Sequence, residues 1–117
     1  VEIPLSLAGT SDGTQSERAN QLLEKLGLGD RVDHKPRELS IGEQQRVAIG
    51  RALANNPDII LADEPTGTLD PDTTNETVGY LRSLNETGIT VVMVTHNPGV
   101  AKYAQRTLRL IDGRLME

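Results

Sequence analysis

The sequence predicts an α/β fold built on a parallel sheet, and three observations lead to this prediction. Residues 59–62 and 89–94 form two short apolar runs, rich in β-branched side chains, of the kind found in strands that are buried on both faces. Residues 72–84, between them, carry apolar side chains at helical spacing. A strand, a helix and a strand in this order predict one right-handed crossover between parallel neighbours.

The N-terminal part predicts a loop followed by a helix. Residues 1–15 are rich in Gly, Ser, Thr and Asp, which predicts a loop after a short extended segment. Ser16 is placed to cap a helix over residues 16–27, in which leucine and alanine recur on one face. Gly27 or Gly29 would end that helix.

A second helix is predicted after a proline-containing connection. Pro36 predicts extended geometry before the loop that contains Leu39. Residues 43–55 are rich in helix formers, and Pro57 cannot continue the helix. The helix therefore ends near residue 56.

A hairpin is predicted at the C-terminal end. Residues 107–111 and 114–116 read as short strands on either side of Asp112 and Gly113. Asp-Gly is a strong signal for a two-residue hairpin turn, because both residues tolerate a positive φ. The chain has no internal repeat and no low-complexity tract.

Composition excludes several classes of protein. The 117 residues have a net charge of −5 and only two aromatic side chains, Tyr80 and Tyr103, which argues against a nucleic-acid-binding surface. There is no cysteine, so disulfides and thiolate zinc sites are excluded, as suits a reducing cytoplasm. No apolar run approaches the roughly 18 residues of a spanning helix. Membrane contact would require a partner.

Two acids, Asp63 and Glu64, directly follow the first predicted strand. Ligands of open α/β sheets bind at the carboxyl ends of the strands, and adjacent acids there favour a metal ion or solvent. In P-loop NTPases an Asp at such a strand end helps to hold Mg²⁺, and a neighbouring acid can orient the attacking water. This similarity implies that Asp63 holds Mg²⁺ and that Glu64 orients water. The alternative is that the two acids simply end a strand and cap the next helix.

His96 follows the second predicted strand, which should neighbour the first. A histidine there is suited to hydrogen-bond a terminal phosphate oxygen. The alternative is a solvated loop histidine, which is our interpretation of His34.

Residues 39–43 read Leu-Ser-Ile-Gly-Glu, and we call them the signature loop. They precede a helix, so backbone N–H groups and the positive helix end could face a phosphate, with Ser40 adding a hydroxyl. Ser40 and Glu43 equally fit a capping box. The phosphate-binding and the capping-box interpretations are compatible with each other.

Four motifs in order resemble the ATP-binding subunits of ABC transporters. They are the signature loop, a Walker B strand that ends in Asp63-Glu64, a D-loop Thr66-Gly67-Thr68-Leu69-Asp70, and a switch histidine, His96. Any one motif is weak, but four in the family's order are specific. The resemblance covers residues 34–117. Residues 1–5, 54–57 and 62–67 resemble the branch that contains lipoprotein-releasing, macrolide-exporting and cell-division ABC ATPases.

This resemblance implies the C-terminal portion of a P-loop NTPase (RecA-like) core with part of the helical subdomain. Residues 1–56 would belong to the helical subdomain and 57–117 to the α/β core. The chain begins at Val1 and contains no GxxxxGK[ST] sequence, so we expect it to be truncated, without its Walker A half. We expect this part alone to be inactive and to expose apolar strand edges.

The resemblance also implies the function and the partners of the site. The full-length subunit would bind and hydrolyse ATP with Mg²⁺ held by Asp63, and Glu64 and His96 would be catalytic. It would form a head-to-tail dimer in which each subunit contacts the ATP held by the other through Ser40, Ile41, Gly42, Glu43 and Asp70. Ile41 stands where the family usually has glycine, so we expect a weakened contact there. An integral membrane permease would hold the subunit at the cytoplasmic face of the membrane, and no nucleic acid is expected.

Two other functions share these motifs. One is a soluble ABC-type ATPase of repair or translation, which the acidic charge disfavours. The other is a short dimerising or regulatory module without catalysis.

Overall fold

The computed structural model describes residue 9 and residues 11–117. The extended segment expected at the N-terminus lies outside them. The helices are α1 (Asp12–Lys25), α2 (Ile41–Leu53), α3 (Pro71–Glu86) and α4 (Pro98–Ala101), with 3₁₀ turns at Gly29–Arg31 and Pro36–Glu38. The strands are β1 (Ile59–Asp63), β2 (Thr90–Val94), β3 (Arg109–Ile111) and β4 (Arg114–Met116).

The first helix begins earlier than predicted. Ser11, in extended geometry, is the residue before α1, so the loop predicted for residues 12–15 and the cap predicted at Ser16 are wrong. Gln15 and Ala19 are buried. Their packing therefore stabilises helical structure in a segment whose residues are weak helix formers. The end is as predicted, because Gly27 has a φ of +76° just after the last turn.

The connection to α2 is not extended. Pro36 begins a 3₁₀ turn, closed by the bond from the Glu38 N–H to the Lys35 carbonyl at 2.9 Å. A φ fixed near −65° is compatible with a 3₁₀ turn as well as with an extended chain, so this prediction was wrong. The helix predicted for residues 43–55 is confirmed as α2, two residues earlier at each end.

The predicted parallel pair is confirmed. Strands β1 and β2 run parallel with Ile60 opposite Val91, and α3 connects them. The buried core cluster joins α1 and α2 to the sheet and consists of Leu22, Leu53, Ala54 and Ile60.

Burial of these strands on both faces was a wrong prediction. Ile60 is 6% exposed, whereas its neighbour Leu61 is 79% exposed. Side chains alternate across a strand, and the core cluster lies on the Ile60 side. The other side presents Ile59, Leu61, Val92 and Val94 as exposed apolar surface.

The predicted hairpin is confirmed. Strands β3 and β4 pair antiparallel with Ile111 opposite Arg114. Asp112 and Gly113 have φ values of +49° and +77°, as a two-residue turn with positive φ at both positions requires.

Tyr80 on α3 joins three helices. Its hydroxyl donates to the Leu26 carbonyl at the end of α1, at 3.4 Å. The Arg46 guanidinium of α2 lies 5.5 Å from the centre of its ring and also pairs with Glu76 of α3. Arg46 is therefore an ion-paired structural residue. No helix within residue 9 and residues 11–117 combines the length and the apolar character of a membrane span.

Candidate functional site

The chain makes an unusual turn directly after β1. Glu64 has a φ of +45°, which is uncommon for a residue other than glycine. Its N–H donates to the Val94 carbonyl at 2.8 Å, and its carbonyl accepts from the Gly67 N–H at 3.2 Å. We call residues 64–67 the acid turn. The turn directs Glu64 toward the loop that follows β2.

The Glu64 carboxylate is held by that loop. The backbone N–H of His96 donates to Glu64 Oε1 at 2.8 Å, and His96 Nε2 lies 3.5 Å from the same oxygen. The Glu64 side chain is 33% exposed and the His96 side chain is 96% exposed. One carboxylate oxygen is thus fixed by the backbone, while the imidazole remains accessible to a ligand.

An open pocket of about 460 Å³ lies beside this pair. It is lined by Glu64, Thr66, Gly67, Leu69, Thr74, His96 and Asn97. Thr66 is buried, and the Leu69 N–H donates to the Thr66 carbonyl at 3.2 Å, so the loop is compact. Asp70 follows this loop as the residue before α3, in extended geometry.

The signature loop is built by a capping box. Ser40 Oγ accepts from the Glu43 N–H at 3.1 Å, and Glu43 Oε1 accepts from the Ser40 N–H at 3.0 Å. The Arg31 side chain donates to the other oxygen of Glu43, at 3.2 Å. The pKa of the Glu43 carboxyl is lowered in the folded protein. The largest cause is the hydrogen bond from the Ser40 backbone N–H, followed by the Ser40 hydroxyl and then by Arg31. The capping box was predicted and is confirmed.

Gly42 and Ile41 have different surroundings. Gly42 is buried, and a Cβ added there would lie 2.5 Å from Thr73 Cγ2 on α3. Packing against α3 therefore requires glycine at this position. Ile41 is 55% exposed, so its side chain points away from that contact.

One side-chain bond ties the two regions together. The Nε2 amide of Gln45, on α2, donates to the carbonyl of Pro65 in the acid turn. Within the described part of the chain, no hydrogen bond or ion pair joins Ser40 or Glu43 directly to Glu64 or His96. The candidate site therefore consists of two clusters of residues, the signature loop and the acid turn with His96, which are linked through Gln45.

The comparison with known families decides the identity of the fold. Residues 4–67, more than half of the chain, match the model of the ABC transporter family. The chain belongs to this family. The chain and the uncharacterized ABC transporter ATP-binding protein MJ1508 of Methanocaldococcus jannaschii are 51% identical over the whole chain, which spans 52% of that relative.

The macrolide export ATP-binding/permease protein MacB 1 of Yersinia pestis bv. Antiqua is 51% identical over 99% of the chain, corresponding to 18% of that protein. The branch indicated by the sequence is thereby confirmed. Among solved structures, the dimeric post-hydrolysis state of the ATP-binding cassette MJ0796 bound to ADP and Pi superposes with a TM-score of 0.82. The two sequences are 46% identical. The match covers the whole of this chain and 53% of the MJ0796 cassette. The chain thus spans about half the length of MJ1508, and the predicted ABC ATPase fold class is confirmed.

In this ABC family chain, the carboxylates suit a metal ion that is shared with a nucleotide. Asp63 is exposed at the end of β1, opposite Val94. Within residue 9 and residues 11–117, no three His, Asp or Glu side chains form a cluster that could hold an ion alone. Mg²⁺ commonly takes one or two carboxylates and completes its shell with phosphate oxygens and water. Asp63 fits that role.

Sequence reasoning missed some pocket residues. Thr66 belongs to the predicted D-loop, but Thr74 was not predicted to lie at the site, and nothing in the local pattern marks it. Asn97 was also missed, although Asn97-Pro98 is a recognisable helix start. Its side chain accepts from the Gly99 N–H at 2.8 Å and so begins α4.

Proposed function

We propose that this chain forms part of the ATP-hydrolysing subunit of an ABC transporter and that the acid turn carries its catalytic base. The observation that supports this most is the bond from the His96 N–H to Glu64 Oε1. It fixes a carboxylate in the lining of an open pocket to which the D-loop also contributes. A base in a fixed position beside an open pocket is what water activation needs.

Each residue has a distinct task in this proposal. Glu64 accepts a proton from the attacking water, and the His96 imidazole donates to the terminal phosphate. Asp63 would hold Mg²⁺, which would supply positive charge beside the phosphates when bound. These roles agree with the exposure of Asp63 and His96 at neighbouring strand ends.

The signature loop serves a second nucleotide. Ser40 and the backbone N–H groups of Ile41 and Gly42 would face the phosphates of ATP bound to a second subunit. Glu43, whose N–H donates to Ser40 Oγ, would shape this loop, and Asp70 would lie at the same interface. The MJ0796 structures are described as dimeric, which supports a dimer for the protein that contains this chain; a head-to-tail arrangement is part of the proposal. Ser40 and Ile41, at the start of this helix, are exposed.

Transport would occur through a membrane partner. The Yersinia relatives are named as export proteins that combine ATP-binding and permease parts. We assign to this chain the same kind of function, ATP binding that powers transport, at the cytoplasmic face of a membrane. Residues 1–56 would form the helical subdomain portion and residues 57–117 the α/β part, with the boundary at Asn56, whose φ is +51°.

ATP binding would also need a phosphate-gripping loop. No GxxxxGK[ST] sequence occurs in residues 1–117. These residues alone would therefore bind ATP weakly and hydrolyse essentially none. Comparing ATP binding by residues 1–117 with binding by the full-length protein measures this difference.

The test of the proposed function is Glu64→Gln in the full-length protein. Glutamine keeps the size of the side chain but accepts no proton, so kcat for ATP should fall about 100-fold or more. ATP binding should persist, and size-exclusion chromatography should detect an ATP-bound dimer.

Glu86→Gln is the matched control. This exposed acid at the end of α3 pairs only with Arg82 of the same helix among its described contacts. Its replacement should leave turnover unchanged. Normal turnover in Glu64→Gln would refute the proposal and favour a dimerising module without catalysis.

A further inference from the structure

The acid turn adopts a backbone that Glu64 does not favour by itself. At a φ of +45° the Cβ of a residue other than glycine is crowded, so neighbouring structure must hold the turn. Strand β2 holds one side, through the Glu64 N–H and the Val94 carbonyl. The Gly67 N–H closes the turn on the Glu64 carbonyl. Both of these bonds involve Glu64 itself.

Gln45 holds the next residue from another direction. Its Nε2 amide donates to the Pro65 carbonyl from helix α2, twenty residues earlier in the chain. Proline has no N–H, so this carbonyl is the one backbone polar group through which Pro65 can be held. Gln45 is half-buried, which limits competition from water.

The surroundings of Gln45 favour this single contact. It lines a small cavity of about 170 Å³ between α2, β1 and α3, whose walls are mostly apolar. Ala48, Ile49 and Ile60 are among the residues in those walls. A neutral amide also brings no positive charge beside Asp63 and Glu64, so it can orient the turn without pairing with either acid.

We propose that Gln45 is a positioning residue that fixes the acid turn and thereby aims the Glu64 carboxylate. The inference rests on the proposed function, because it concerns the base of that reaction. Gln45 lies two positions after Glu43 on the same helix, so the helix that begins at the signature loop also holds the turn of the base. Movement of α2 would displace Glu64.

The test is Gln45→Met in the full-length protein, with Gln45→Glu as a second variant that keeps the shape and also removes the donor. In both variants we expect kcat for ATP to fall about 10-fold to 100-fold, since a small misplacement of a catalytic group has this effect. The KM for ATP should stay within about twofold, because Gln45 touches no proposed nucleotide contact. Gln21→Met, which changes an exposed glutamine of α1, should leave both constants unchanged.

Amide hydrogen exchange gives a second readout that does not depend on hydrolysis. The Gly67 N–H should exchange about tenfold faster in both variants, while the amides within β2 keep their rates. Unchanged kcat in both variants, or unchanged exchange at Gly67, would overturn the inference. If the wild-type protein hydrolyses no ATP, the proposed function fails, and exchange at Gly67 alone decides whether Gln45 holds the turn.

Discussion

The signature loop and the acid turn are the two parts of the candidate site, and they are stabilised in opposite ways. The signature loop closes on itself, because Ser40 and Glu43 exchange hydrogen bonds across three residues. The acid turn is held by distant parts of the chain: the end of β2, the His96 backbone and Gln45. A loop closed by its own hydrogen bonds keeps its shape when its helix moves. The acid turn, in contrast, depends on the surrounding fold.

The prediction with the largest expected effect concerns the long-range contact of the signature loop, between Gly42 and Thr73. In Gly42→Ala, the new methyl group would overlap Thr73 Cγ2, which lies 2.5 Å from the added Cβ. The β-branched Thr73 has little rotamer freedom on a helix, so we expect a loss of about 1–3 kcal/mol in the free energy of unfolding. Urea unfolding of the two proteins measures it.

Thr73→Ser supplies the control, because it removes Cγ2 and keeps the hydroxyl. In that background Gly42→Ala should be neutral or stabilising by up to about 1 kcal/mol, since alanine is the better helix former. An equal loss in both backgrounds would show that Gly42 does not depend on Thr73, and the signature loop would then be entirely local.

The second effect tests the strain in the acid turn. Glu64→Gly and Glu64→Ala both remove the carboxylate, but only glycine adopts a φ of +45° without crowding. We expect Glu64→Gly to be more stable than Glu64→Ala by about 1 kcal/mol, even though glycine gives the unfolded chain more freedom. Thermal unfolding of both variants checks the order.

The matched pair is Glu86→Gly and Glu86→Ala, at the end of α3, where the order should reverse because φ is helical. The same order at both positions would mean that the turn at Glu64 is not strained.

The smallest effect is the pH dependence of the signature loop. The pKa of Glu43 is lowered in the folded protein, mainly by the Ser40 N–H. Its contribution to stability is therefore complete above the pKa of an unfolded glutamate, about 4.3, and is lost as pH falls through the lower folded-state value. Unfolding free energies of wild type and Glu43→Gln should converge between about pH 6 and about pH 3.

Ser40→Ala should reduce this convergence only in part, because it removes the hydroxyl but keeps the Ser40 N–H, which is the largest cause of the lowered pKa of Glu43. A difference between wild type and Glu43→Gln that is the same at both pH values would contradict the assignment of the capping box as the source.

The same contrast explains which features the sequence could predict. The capping box and the Asp112-Gly113 turn depend on residues within four positions of each other, so their side chains identify them. The parallel pair was predictable from two apolar runs. Nothing local distinguishes Leu61, which is exposed, from Ile60, which is buried, because their difference arises from the helices that cover one face.

Long-range contacts account for the remaining differences. The start of α1 at Ser11 reflects packing of Gln15 and Ala19, which outweighs weak helix propensity. The left-handed backbone of Glu64 and its tie to Gln45 join elements far apart in the chain. The sequence placed Glu64 and His96 just after two neighbouring strands, but it did not predict the backbone hydrogen bond that joins them.

The junction at Tyr80 gives the molecule a built-in optical label. The chain has no tryptophan and no phenylalanine, and its only other aromatic ring is Tyr103. Tyr80 touches α1 through its hydroxyl and α2 through Arg46, so its absorbance and emission respond to any separation of these helices from α3. Rearrangement of the three helices can therefore be followed in solution without attaching a dye.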